Sequence, residues 1–176
     1  MLKKSLLLAL GLVAASHALA QTPAAPAYDE SLPPLPRASD LSNKHIGQHF
    51  LLKNGMSTEQ VFFAGYGPSG NAMAFSTSDV AQIRLTYQNA VAHCAAKGDG
   101  WRLPGINELR VLSPLADAPE PDYLPGSYWT TTLAPCVECG YPDQYKMAYD
   151  VRSGHVRNGY TLPFTKFYTI CAYDIP

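Results

Sequence analysis

Two cysteines three residues apart, in Cys136-Val137-Glu138-Cys139, have the spacing of a dithiol redox pair. A reactive pair of that kind sits at the start of a helix, where the dipole favours the thiolate. Here Pro135 and Gly140 bracket it inside an irregular stretch, so a local disulfide that stiffens a loop is the expectation. Zinc would want four ligands, and only two are local. Between residues 117 and 143 stand Asp117, Glu120, Asp122, Glu138 and Asp143 with no Lys or Arg. Calcium takes such oxygen donors, but an acidic, Pro-rich surface loop uses the same residues. Positive charge concentrates locally at Lys146, Arg152, His155 and Arg157, with Lys166 beyond. Such a group can pair with sulfate or carboxylate. Tyr160 or Tyr128 could add an aromatic face for a sugar ring. No Ser/His/Asp order, Gly-rich phosphate loop or zinc signature occurs. The sequence therefore gives no reason to expect catalytic residues, a cofactor or a resident metal.

The elements that position these residues can be read around Gly100-Trp101-Arg102-Leu103-Pro104-Gly105-Ile106-Asn107-Glu108-Leu109-Arg110-Val111-Leu112. Pro104 has no amide hydrogen and pushes Leu103 into an extended form, so Trp101 to Leu103 reads as strand and a helix starts only afterwards. Ile106, Leu109 and Leu112 share one face, Glu108 suits the positive helix start, and Pro114 is expected to end the run. Trp101, Leu103, Pro104 and Trp129 read as core, and Arg102 with Glu108 as an internal polar pair. Upstream, Tyr87, Ala90, Val91, Cys94 and Ala95 fit a helical stripe that Thr86 can cap and Gly98 can end. Strands are expected at Gln48 to Lys53, Gln60 to Tyr66, Asn71 to Thr77, Tyr128 to Thr132 and Phe167 to Tyr173, the last carrying Cys171.

Tyr145, Met147, Tyr149 and Val151 alternate with Lys146, Ala148, Asp150 and Arg152, which predicts a strand with one wet face. Ser153-Gly154 reads as a two-residue turn. That turn would set Arg152 opposite His155 and Asp150 opposite Arg157 on the polar face.

Residues 1–20 carry Lys3 and Lys4, the apolar run Leu6 to Ala15, and Ala18-Leu19-Ala20, which reads as a secretory signal peptide. Gln21 rather than Cys follows, so no lipid anchor is expected, and no second apolar segment suggests an integral membrane protein. Residues 21–44 are rich in Pro and Ala and read as a linker ahead of one domain, 45–176. Loss of Lys3 and Lys4 lowers the formal charge of −1 by two, which offers no attraction to nucleic acid. Four cysteines in an exported chain favour disulfides and allow three pairings. The favoured set is Cys94 with Cys171 and Cys136 with Cys139.

Taken in order, Cys94, Trp101, Arg102, Leu103, Pro104, Asn107, Glu108, Leu109, Tyr128, Trp129, Gly154 and Cys171 resemble the carriers of a bacterial family. The chain from about residue 45 to 175 resembles the C-terminal domain of a bacterial collagen-like adhesin. That domain belongs with the formylglycine-generating-enzyme variant of the C-type lectin fold. The resemblance implies an α+β domain, two helices packed on a small twisted antiparallel sheet, stabilised by disulfides, with its first and last strands close together. Glu120-Pro121-Asp122 looks like a lectin calcium triplet, yet it precedes Tyr128-Trp129 instead of following it.

The resemblance implies an exported, non-enzymatic binding or adhesion domain for a glycan or surface ligand. The local basic charge adds that the glycan would be anionic, with Lys146, Arg152, His155, Arg157 and Tyr160 as its contacts. The alternative is a protein-interaction or structural component of a cell-envelope assembly, and a third reading is an oxidoreductase using Cys136 and Cys139. Location in the periplasm or at the surface, and self-association, stay open.

Overall fold

The structure, a computed structural model, describes residues 29–55, 57–79, 83–116, 126–135, 145–161 and 164–176. Its strands are β1 (His49–Asn54), β2 (Ser57–Tyr66), β3 (Ala72–Ser76), β4 (Arg84–Leu85), β5 (Trp101–Arg102), β6 (Ser127–Leu133), β7 (Tyr145–Asp150), β8 (Val156–Tyr160), β9 (Phe167–Tyr168) and β10 (Ala172–Asp174). They form two five-stranded sheets, ordered β1-β2-β3-β10-β5 and β4-β9-β6-β7-β8. The class is α+β, but two sheets replace the single small one expected, and β6 meets β9 in parallel.

The reason lies in the last segment. Phe167 to Tyr173 is not one strand: β9 joins the second sheet, β10 joins the first, and Thr169 to Cys171 cross between them. At the crossing the Cys171 N–H donates to Asp79 Oδ2 at 3.1 Å. An amide spent on a carboxylate cannot serve a strand ladder, so the strand breaks there.

The first helix, α1 (Tyr87–Ala95), starts at Thr86, whose Oγ1 accepts from the Asn89 N–H. Its buried stripe is narrower than its sequence suggests: Ala90 and Cys94 are buried, whereas Val91 and Ala95 are exposed. After Pro104, α2 (Ile106–Leu109) passes through a 3-10 turn, Arg110–Leu112, into α3 (Ser113–Ala116). Spacing apolar residues three apart suits that tighter turn, and Ile106, Leu109 and Leu112 are all buried. Pro114 does not end the segment. It occupies the first turn of α3, where its missing N–H costs no helical bond.

Alternate strand residues feed two cores. Val61, Phe63, Ala74, Trp101 and Trp129 join Ala90 and Cys94 of α1. Phe62, Phe75, Tyr128 and Tyr149 join Ile106, Leu109 and Leu112. Adjacent residues Tyr128 and Trp129 therefore point into opposite cores, each fully buried. A disulfide joins Cys94 to Cys171 and ties α1 to the crossover. In the loop-entropy model a closure over 77 residues contributes about 4 kcal/mol.

Part of the stretch read as linker lies on this body. The Leu35 N–H donates to the Leu51 carbonyl at 2.8 Å, the Leu51 N–H to the Pro33 carbonyl at 2.9 Å, and the Ala38 N–H to the Pro176 carbonyl at 3.2 Å. Leu41 is 5% exposed, and its carbonyl accepts from the Tyr66 hydroxyl. The packed body thus begins ahead of residue 45 and brings the segment before β1 against the C-terminus.

Gly159 on β8 has no room for a side chain. A Cβ there would run into the Trp129 ring and stand 2.8 Å from Phe167 Cε2. Gly159→Ala is expected to cost about 2 kcal/mol by overpacking, measured by chemical denaturation.

Candidate functional site

The basic residues lie on the β7–β8 hairpin, at the edge of the second sheet. The register pairs Tyr149 with Val156, Ala148 with Arg157 and Lys146 with Gly159. The Asp150 N–H donates to the His155 carbonyl at 2.9 Å, so the loop is the four residues Val151 to Gly154 and not Ser153-Gly154 alone. Asp150 enforces the longer turn. Its carboxylate accepts from the Ser153 N–H at 2.9 Å and its carbonyl from the Gly154 N–H at 2.8 Å. Gly154 takes φ +71°, open to glycine at little cost, while Val151 anchors the turn at 1% exposure. Burial pushes the Asp150 carboxyl up, but hydrogen bonds from Ser153 outweigh it and hold the group below its ordinary value.

Two expected pairings are thereby corrected: Arg157 faces Ala148, not Asp150, and Arg152 lies in the turn, not across from His155. The expected wet face is corrected as well. Ala148 is fully buried beside Trp129, because the face it shares with Lys146 and Arg157 is roofed by an aromatic cluster. In that cluster Tyr87 and Phe167 each make an edge contact with Trp129, with ring centroids 5.4 Å and 4.8 Å apart. The Lys146 ammonium lies over the Tyr87 ring at 5.5 Å. Burial pushes the half-buried Tyr87 hydroxyl up.

Arg152, His155 and Arg157 are all exposed, and Lys146 is half-buried. Tyr160 pairs with Tyr145 through its backbone, and its side chain lies outside the described residues. Tyr128 is fully buried and offers no sugar platform. Tyr87, read from sequence as one residue of a core stripe, is the aromatic brought against the basic face. No local signal marked it, because Lys146 is brought to it from far along the chain.

The central element builds a second polar group. Arg102 donates to both Glu108 oxygens at 2.8 Å and to Asp174 at 2.9 Å, which links β5, α2 and β10. Hydrogen bonding to Glu108 raises the Arg102 pKa, with burial opposing and Asp174 assisting. Burial pushes the Glu108 carboxyl up, yet Arg102 and the Gly105 N–H, 2.6 Å away, hold it below its ordinary 4.5. Trp101 and Leu103 are 5% and 2% exposed, Pro104 is buried, and Trp129 is inaccessible. This group joins three elements and presents no chemistry.

A third group has no counterpart in the sequence reading. Asp79, 2% exposed, meets His93 Nε2 at 2.7 Å and Lys97 Nζ at 3.2 Å. Lys97 also donates to Glu59 at 3.0 Å, and Glu59 accepts from the hydroxyls of Ser76 and Ser78. Lys97 lies 3.1 Å from Ser78 Oγ, but an ammonium holding two carboxylates is no base, and the Ser78 proton already points to Glu59. These residues come from three separate segments, β2, the segment at the end of β3 and the segment at the end of α1, which no local spacing could have gathered. Cys136, Cys139 and the acidic residues Asp117, Glu120, Asp122, Glu138 and Asp143 lie outside the described residues.

Because its pKa is depressed in the fold, Glu108 contributes stability that is present above about pH 4.5 and lost as pH falls through the folded value. Glu108→Gln is therefore expected to lower stability at neutral pH and to flatten the acid limb between pH 5 and 3, read by denaturation across that range. Set against protein-family models, curated proteins and solved structures, the chain matches none, so its own geometry carries the functional reading.

Proposed function

We propose that this chain is an exported, non-enzymatic binding domain that takes an anionic glycan on the β7–β8 hairpin. The observation that carries the reading is the run of exposed residues from Arg152 to Asn158, with Arg152 in the turn, His155 just after it and Arg157 on the edge strand β8, which pairs with the strand that holds Lys146 over Tyr87. Sulfate or carboxylate groups pair with guanidinium in a directed way, and a partly exposed aromatic beside them gives a sugar ring an apolar face. The Cys94–Cys171 disulfide supports export to an oxidising compartment. The resemblance to collagen-like adhesin C-terminal domains, and with it the C-type-lectin-like fold, belongs to the same proposal. Its support is the bond from the first helix to the last segment and the closeness of the two ends of the packed body.

A second reading, a protein-interaction or structural component of an envelope assembly, draws on exposed apolar side chains. Phe164 is 88% exposed and Leu133 51%, and exposed apolar side chains favour protein contacts over sugar contacts. One stoichiometric protein partner on purification, with no glycan affinity, is its expected signature.

The discriminating measurement is binding of residues 21–176 to a glycan panel that includes sulfated polysaccharides, at low and high salt, with and without calcium. Salt-sensitive, calcium-independent binding is expected, and Arg152→Ala with Arg157→Ala should weaken it about tenfold or more at low salt without lowering stability. Unchanged affinity in that double variant would remove the hairpin from the site, and calcium dependence would move it to the acidic loop.

A further inference from the structure

The polar group around Asp79 is built against the disulfide. The Asp79 carboxylate, a His93 ring nitrogen and Cys171 Sγ lie within 4.8 Å of one another, and Cys94 Sγ is bonded to Cys171 Sγ. Two sulfurs, one imidazole nitrogen and one carboxylate oxygen are the donors of a tetrahedral zinc site. Both cysteines are fully buried and Asp79 nearly so, while His93, 29% exposed, reaches the surface. Supporting contacts are present. Asp79 Oδ2 is held by the Cys171 N–H, and Lys97, paired with Glu59, stands ready to keep its own counter-ion if Asp79 turns to a metal. Two buried hydroxyls, Thr77 Oγ1 and Thr169 Oγ1, have no partner among the described residues and stand two positions before Asp79 and Cys171.

We propose that Cys94, Cys171, His93 and Asp79 bind a zinc-type divalent cation when the disulfide is reduced, so that metal and S–S bond are alternative closures of the same core. The chemistry balances. A phosphine reductant takes two electrons' worth of oxidation and the oxygen of one water, becoming the phosphine oxide, and leaves two thiols. Metal binding then releases both thiol protons to solvent, as neutral His93 and ionised Asp79 supply the other two donors. In the reduced chain the ion ties α1 to the crossover, as the disulfide does in the oxidised one.

The test uses the protein with Cys136→Ser and Cys139→Ser, so that the other pair cannot answer, refolded in a phosphine with one equivalent of cobalt(II) as the probe. A thiolate-to-cobalt charge-transfer band with intense visible bands of a tetrahedral ion is expected in the reduced protein and absent from the oxidised one. His93→Gln should weaken cobalt affinity about tenfold or more. Zinc at one equivalent should restore the circular dichroism of the oxidised fold. No charge-transfer band, a band indifferent to His93→Gln, or a reduced chain that zinc does not refold would each overturn the proposal.

Discussion

The buried carboxylate of Asp79 is the constraint on which the two sheets depend. A charge at 2% exposure is tolerated only when its neighbours replace the water it has lost, and here three do so. His93 comes from the last turn of α1, Lys97 from just beyond it, and the Cys171 N–H from the crossover. Asp79 thus holds the first helix to the point where the chain leaves one sheet for the other. The disulfide makes the same connection covalently one residue along from His93. Removing either partner of such a buried pair leaves the other uncompensated, which is why the two links are better regarded as one joint.

From that joint the rest is packing. Once Cys171 is placed, β9 and β10 are committed to different sheets, and Phe167 is delivered to Trp129 while Ala172 and Tyr173 fall between β3 and β5. Trp129 then rests against Gly159 and sets where the edge strand β8 can run. The exposed cations of the hairpin, Arg152, His155 and Arg157, stand at the margin of this arrangement, outside both cores, where they can keep their hydration. The same charges also protect an edge strand against pairing with another chain.

Local spacing made a good deal legible. Thr86 and the run to Ala95 mark α1, Pro104 divides β5 from α2, and Arg102 with Glu108, six residues apart, is a pair that short range can announce. The hairpin was legible as a hairpin but not in register. Asp150 is the last residue of β7, as its place in the alternation suggests, but by accepting from the Ser153 and Gly154 N–H groups it also hinges a turn longer than Ser153-Gly154. Lys146 and Arg157 are legible as a basic pair on a face, whereas the aromatic roof over that face comes from outside the hairpin, from Phe167 after it and from Tyr87 far earlier in the chain.

By itself the sequence determined element types, most of the core positions and the residues that could meet an anion, because periodicity, proline and capping act within a few residues of one another. Tertiary structure alone decided that there are two sheets, that the last strand is split, and that Glu59, Ser76, Ser78, Asp79, His93 and Lys97 form one network. Those outcomes rest on where a buried carboxylate finds its donors, and its donors are up to 92 residues away.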